Sequence, residues 1–199
     1  MRLEKSGRDG VRKVWLTDRE IDDLRRHAAS ERDDLIIQLG AFVGLRAFEI
    51  RQPTPSDIKT TDNDHYRLFI KAGKDTSGSG GSPRDAYLPR EVERDLRRFI
   101  RSKNIAPKAR IISLSTKGIR DAIKRTARRT AEETGNDNFR YVSAHDLRRR
   151  FAQRLLVDQR MNPRVVMEIG GWSSYSAIEP YLNSPTEDVI DQEFSEVEL

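Results

Sequence analysis

Apolar positions recur at helical spacing in several blocks of this chain, separated by glycine, proline and capping residues. Thr17 followed by Glu20 is a capping-box signature, and the segment after it can run helically to about Ala29. A second helix from about Glu31 presents Leu35, Ile36, Leu39, Phe42 and Val43 as a core face, and is expected to end near Gly44. The short stretch GLRAFEI follows, before the two prolines of QPTPS break the pattern. From Tyr66 to Ile70 the chain is aromatic and branched, and Ala86-Tyr87-Leu88 offers it a partner beyond a Gly/Ser-rich stretch from Gly73 to Pro83. This predicts a hairpin with a long loop, low in complexity from Ser77 to Ser82 and mobile when nothing is bound.

The second half reads as helices. Pro89 fits the first turn of one that continues through Leu96 and Phe99 to about Arg101. Another starts near Ser115 or Thr116, with Ile119, Ile123 and Ala127 on one stripe and Lys117, Arg120, Lys124 and Arg128 beside it, and Gly135 and Asn136 end it. Ser143 can cap the next, with Asp146 three positions on, and Leu147, Phe151 and Leu155 make an i, i+4, i+8 seam. His145, Arg148 and Arg149 lie along one edge of that seam. Pro163 opens a short helix closed by Gly170-Gly171, and Ser174 or Ser176 can start the segment that carries Tyr181. The expected fold is mainly α with a small antiparallel β-hairpin or sheet: a polar arm or linker over residues 1–16, one domain over 17–183, and a tail over 184–199.

Composition narrows the chemistry. The chain has 199 residues, 35% of them charged, and no run near the ~20 apolar residues that a membrane-spanning helix needs. The N-terminus lacks the continuous apolar segment of a signal peptide. The absence of cysteine excludes a disulfide framework, thiolate zinc sites and cysteine nucleophiles. With three histidines, a multi-histidine metal cage would use nearly all of them. The net charge of +5 hides a strong segregation: residues 90–160 hold 20 Lys/Arg against 9 Asp/Glu, whereas residues 184–199 hold six acidic residues and no basic one. A polyanion is attracted to the middle of the chain and repelled by its tail.

A His-x-x-Arg pair alone is weak evidence, since a histidine at a helix edge is more often structural than catalytic. Here it is joined by GLR upstream, a lysine-bearing hairpin between, and GGWSS followed by a tyrosine downstream. In this order and spacing the chain resembles the catalytic domain of the tyrosine recombinases, the phage-integrase family, over roughly residues 17–183. The resemblance implies the tyrosine recombinase catalytic-domain fold. It implies Arg46 in GLRAFEI as the first catalytic arginine, Lys74 in AGKD as the hairpin lysine, and His145 and Arg148 in HDLRR as the paired motif. It continues with Trp172 in GGWSS and, nine residues on, Tyr181 in EPYLN as the nucleophile. Most members carry histidine where Trp172 stands, which weakens a proton-transfer role there and leaves a hydrogen-bonding one. Glu49 falls at the family's acidic position and is expected to orient basic side chains.

The chemistry implied is cleavage of a phosphodiester with no metal or other cofactor. Arg46 and Arg148 suit the phosphate because a guanidinium offers several charge-assisted donors and stays charged. Tyr181 supplies a phenol, of reference pKa ~10, that must be activated before it attacks. Lys74 is the expected general acid for the departing 5′ oxygen, with Lys71, three residues away on the same hairpin, as the alternative. His145 has a supporting part, either a hydrogen bond to phosphate or proton exchange with the tyrosine, and Trp172 brings an indole N–H and an apolar face. The implied partner is double-stranded DNA at specific recombination sites, bound as a homo-oligomer, a tetramer on DNA that can be a monomer in solution, in the cytoplasm at the nucleoid or in a host's cytoplasm for a viral member. Relatives commonly carry a further N-terminal DNA-gripping domain. About 16 residues precede the first helix here, so the expectation is an isolated catalytic fragment or a minimal member with weaker, more salt-sensitive binding. The acidic tail is expected to dock on its own body or on a neighbour. Two other classes share part of this pattern: a type IB topoisomerase, and a DNA-binding regulator without cleavage.

Overall fold

The structure is a computed structural model that describes residues 1–5, 12–71, 83–182 and Ser195. The helices begin where the capping residues stand. α1 (Asp18–Arg26) has Thr17 as N-cap, with Glu20 accepting the Thr17 backbone N–H at 2.8 Å. α2 (Glu31–Ala41) starts at Ser30, α4 (Arg90–Ser102) at Pro89 and α5 (Thr116–Thr134) at Ser115. α6 (Ala144–Gln153) starts at a Ser143–Asp146 capping box, α7 (Pro163–Gly170) at Asn162, and α8 (Tyr175–Ile178) at Ser174. Between them, α3 (Ala47–Ile50) is one turn long.

α2 is the axis of the fold. The sequence suggests a single core face, yet Ile37 and Gln38 are buried as well as Leu35, Ile36 and Leu39, because α1, α4, α5 and α6 all pack around it. A helix apolar on most sides is stable only in that central place. The predicted hairpin is β4 (Tyr66–Ile70) paired antiparallel with β5 (Arg84–Leu88), Tyr66 opposite Leu88. A third strand, β3 (Ile58–Thr60), adds to its edge in the order β3-β4-β5. Three residues with one apolar side chain gave no periodicity from which to expect it.

Residues 1–16, read as an arm, carry β1 (Arg2–Lys5) and β2 (Arg12–Trp15), paired antiparallel. Val14 and Leu16 join the main core. The Val14 N–H donates to Asp146 Oδ1 at 3.0 Å and its carbonyl accepts from Arg149 at 3.1 Å, so this strand is stitched onto α6.

The predicted seam of α6 holds for Leu147 and Phe151 and then slips. A π-helical turn over Arg154–Asp158 inserts one residue into the repeat, so Leu156 is buried in place of Leu155, which is only partly covered. Beyond this turn a second, smaller core gathers Phe151, Ala152, Leu156, Val166, Trp172, Ile178 and Tyr181. Tyr181 thus rests on a cluster of its own, built from the C-terminal turns against the end of α6. No helix among the described residues is long and apolar enough to cross a membrane.

Candidate active site

Gly44 makes the turn out of α2. Its φ of +74° is left-handed, and a Cβ there would collide with the Phe151 ring. The chain leaves this turn with Arg46 as the N-cap of α3 and Glu49 at its third position. Glu49 accepts the Arg46 backbone N–H at 2.8 Å and Nη1 of the Arg46 side chain at 2.9 Å. Arg46 Nη2 donates to the carbonyl of Gly171 at 3.1 Å. Arg46 is therefore anchored on two sides while about a third of its side chain stays open to solvent.

α6 supplies the other half. His145 lies in its first turn and Arg148 on the next, and both line one cavity of about 270 Å³ with Arg46, Ala47, Phe48, Ala144 and Arg120 of α5. The Arg148 side chain is buried; it donates Nη1 to the Gly44 carbonyl and Nη2 to the Gly170 carbonyl, the latter at 2.8 Å. A guanidinium has five N–H donors, so these two bonds fix its plane and leave others for a ligand. Burial, and then the adjacent Arg46 charge, draw the Arg148 pKa down to about 9, which leaves it a cation at neutral pH. Partial desolvation, followed by the charges of Arg149, Arg148 and Arg46, lowers the pKa of His145 from the usual histidine value. An anion in this cavity would relieve the crowding of positive charge.

Trp172 and Tyr181 are not among the residues lining that cavity; they lie behind Arg148. The Arg148 guanidinium carbon sits 3.9 Å from the centroid of the Trp172 ring. The indole stacks on Phe151 at 6.2 Å and meets Tyr181 edge-on at 5.8 Å. Tyr181 is buried in the 3₁₀ turn Glu179–Tyr181, and its phenol is near enough to act on the Arg148 charge. Trp172 thus offers its aromatic face to the site through Arg148. Lys74 lies outside the described residues.

Sequence reasoning anticipated Glu49 as an orienting group and missed its main partner. Arg84, the first residue of β5, is buried and donates Nη1 and Nη2 to the two Glu49 oxygens at 2.8 and 3.0 Å. Burial works against the Glu49 charge, but the Arg84 hydrogen bonds and charge, then Arg148 and the Arg46 backbone, outweigh it and hold the carboxyl below its ordinary value. The signal was present in strand alternation, since Arg84 shares a face with Ala86 and Leu88, both inward. Arg120 was noted only as one of a basic stripe; its place at the cavity rim depends on how α5 meets α3 and α6.

The model of the phage integrase family matches residues 14–187. Among solved structures, the chain superposes on XerA recombinase with a TM-score of 0.65 at 19% identity, covering 92% of this chain and 64% of that one. The Tn1549 transposon integrase in complex with transposon right end DNA gives 0.67 at 20% identity, over 96% of this chain and 68% of that one. The XerH site-specific recombinase bound to difH substrate gives 0.64 at 20%, over 92% and 53%. The chain therefore spans between about half and two thirds of the length of these relatives. No curated protein matches it. With a family match over most of its length and the recombinase catalytic fold around the Arg46–Arg148 cavity, the chain belongs to the phage integrase family.

Proposed function

We propose that this protein is a site-specific DNA recombinase that cuts and rejoins strands through a 3′-phosphotyrosyl intermediate on Tyr181. The observation that carries this reading is the convergence of Arg46, from the turn after α2, with His145 and Arg148 of α6 on one cation-lined cavity, with Tyr181 packed just behind it. A phosphodiester is the ligand whose charge and size suit such a cavity. That XerH is bound to difH and the Tn1549 integrase to transposon end DNA supports DNA as the substrate.

In this scheme Arg46 and Arg148 hold the two nonbridging oxygens of the scissile phosphate, and His145 donates a hydrogen bond to that phosphate or exchanges a proton with Tyr181. The Tyr181 oxygen attacks phosphorus and gives up its proton to the His145 imidazole or to water. The bond from phosphorus to the 5′ oxygen breaks, and that oxygen takes a proton from Lys74. The product is a 3′-phosphotyrosine and a free 5′-hydroxyl. Attack by a 5′-hydroxyl from a second duplex reverses the same step and restores a phosphodiester, so neither ATP nor a metal ion enters the balance. Trp172 supports the Arg148 plane and the Tyr181 ring. Exchange between two duplexes needs four such sites, which makes a tetramer on DNA, in the cytoplasm with the replicon, the working form.

The test uses a pool of nicked duplexes with randomised centres, incubated with the protein in EDTA. The reading predicts a denaturation-resistant protein–DNA adduct that Tyr181→Phe abolishes while duplex binding persists. Cleavage that requires a divalent metal, or binding without any adduct across the pool, overturns it.

A further inference from the structure

β5 returns from the segment that carries Lys74 with Arg84 as its first residue, and the Arg84 side chain is 5% exposed. Besides its two bonds to Glu49, it donates Nε to the carbonyl of Ile169 at 3.1 Å. Gly171, at φ +71°, is pressed against the same guanidinium: a Cβ there would stand 2.8 Å from Arg84 Nε. Both anchors of Arg46, the Glu49 carboxylate and the Gly171 carbonyl, therefore adjoin Arg84. The next carbonyl back, that of Gly170, holds Arg148. Burying an arginine is costly unless it is fully paired, and an apolar residue of similar length would fill this space more cheaply. The pairing therefore marks a task of placement.

We propose, resting on the DNA-cleaving reading above, that Arg84 is a positioning residue that sets the spacing of the two phosphate-holding arginines. It does not line the cavity and acts through Glu49 and the Gly170-Gly171 turn. By occupying both Glu49 oxygens it leaves Arg46 with a single side-chain bond to that carboxylate, so the N–H groups of Arg46 that bond neither Glu49 nor the Gly171 carbonyl are left for phosphate. Without Arg84, the carboxylate draws Arg46 onto itself and the turn before Trp172 loses its brace.

The experiment compares Arg84→Met, Arg84→Lys, Glu49→Gln and the Arg84→Met/Glu49→Gln double variant with the unaltered full chain. Rates of adduct formation on a nicked duplex, duplex affinity, and the pH profile of the rate are measured, with backbone hydrogen exchange over residues 166–172 in DNA-free protein. Arg84→Met is expected to slow adduct formation about 100-fold, the loss typical of one misplaced charge-stabilising group, with affinity changed less than about threefold. Its acid limb moves to higher pH, because Glu49 has lost its strongest stabilising partner. In the Glu49→Gln background the same change adds little. Arg84→Lys keeps the charge but not the fork, and is expected to recover only part of the rate. Wild-type rates in either Arg84 variant, additive losses in the double variant, or an unmoved acid limb overturn the proposal. Should the unaltered chain form no adduct, the functional reading fails first, and exchange decides the frame by itself: faster in Arg84→Met if Arg84 braces the turn, unchanged if it does not.

Discussion

Arg148 sits over Trp172, its guanidinium carbon 3.9 Å from the ring centroid, while Phe151 stacks on the same indole and Tyr181 meets it edge-on. The tryptophan is the floor on which the Arg148 guanidinium rests. A cation held over an aromatic face in a desolvated place is worth about 2 kcal/mol, and the ring also fills the smaller core. Trp172→Ala should therefore lower unfolding stability by about 3–5 kcal/mol in denaturant titration. Trp172→Phe, which keeps a ring under Arg148, should lose less stability and retain most of the cleavage rate. Equal loss of cleavage in both variants would assign the decisive role to the indole N–H instead.

Lysine cannot replace either arginine of the cavity. Arg148 uses two N–H groups on the Gly44 and Gly170 carbonyls and, in the proposed reaction, needs others for phosphate, a division that an ammonium on a flexible stem does not reproduce. Arg46→Lys and Arg148→Lys should each slow adduct formation by about 10²–10³-fold, with smaller effects on duplex affinity, as measured by single-turnover kinetics and filter binding.

His145 titrates below the usual histidine value, owing to partial desolvation and then to Arg149, Arg148 and Arg46. It is neutral at physiological pH in the free protein. Because its folded pKa is depressed, its contribution to stability is present above the unfolded value of about 6.5 and is lost as pH falls through the folded value. Binding a phosphate beside it favours the charged form. An NMR titration of its ring proton should give a midpoint below 6.5 in free protein and a higher one with duplex added.

Much of the fold was legible because its signals are local. The Thr17–Glu20 and Ser143–Asp146 capping boxes, the left-handed Gly44, Gly135 and Gly171, and the Tyr66–Leu88 pairing all rest on residues close in sequence or on strict alternation. Arg46, His145 and Arg148 were legible as a pattern, and the structure brings them to one cavity. Arg84, Arg149 and Arg150 were not. Their burial is decided by partners distant in the chain, such as Glu49 for Arg84, Val14 for Arg149 and Asp18 for Arg150, and an arginine in sequence looks the same whether buried or solvated. The slip from Leu155 to Leu156 was hidden for a different reason: a π-helical turn leaves no mark in a hydrophobic repeat until it has shifted it.

Arg120, Lys124 and Arg128 stand four residues apart on an exposed side of α5, a row that starts at the cavity and runs about 12 Å along the helix. None of the three has a carboxylate partner among the described residues, unlike Lys117 with Asp121. Such a row suits a DNA backbone. Replacing Lys124 or Arg128 by alanine should weaken binding to all duplexes alike and reduce the slope of log affinity against log salt by about 1 for each charge removed.

In the proposed reaction one phosphate, held between Arg46 and Arg148, passes to Tyr181. The most direct test of this transfer is proteolysis of the trapped protein–DNA adduct followed by mass spectrometry of the nucleotide-bearing peptide. The expected product is a 3′-phosphate ester on Tyr181, with a free 5′-hydroxyl on the released strand. An adduct on Tyr175 or Tyr141, or one joined through a 5′-phosphate, would contradict it.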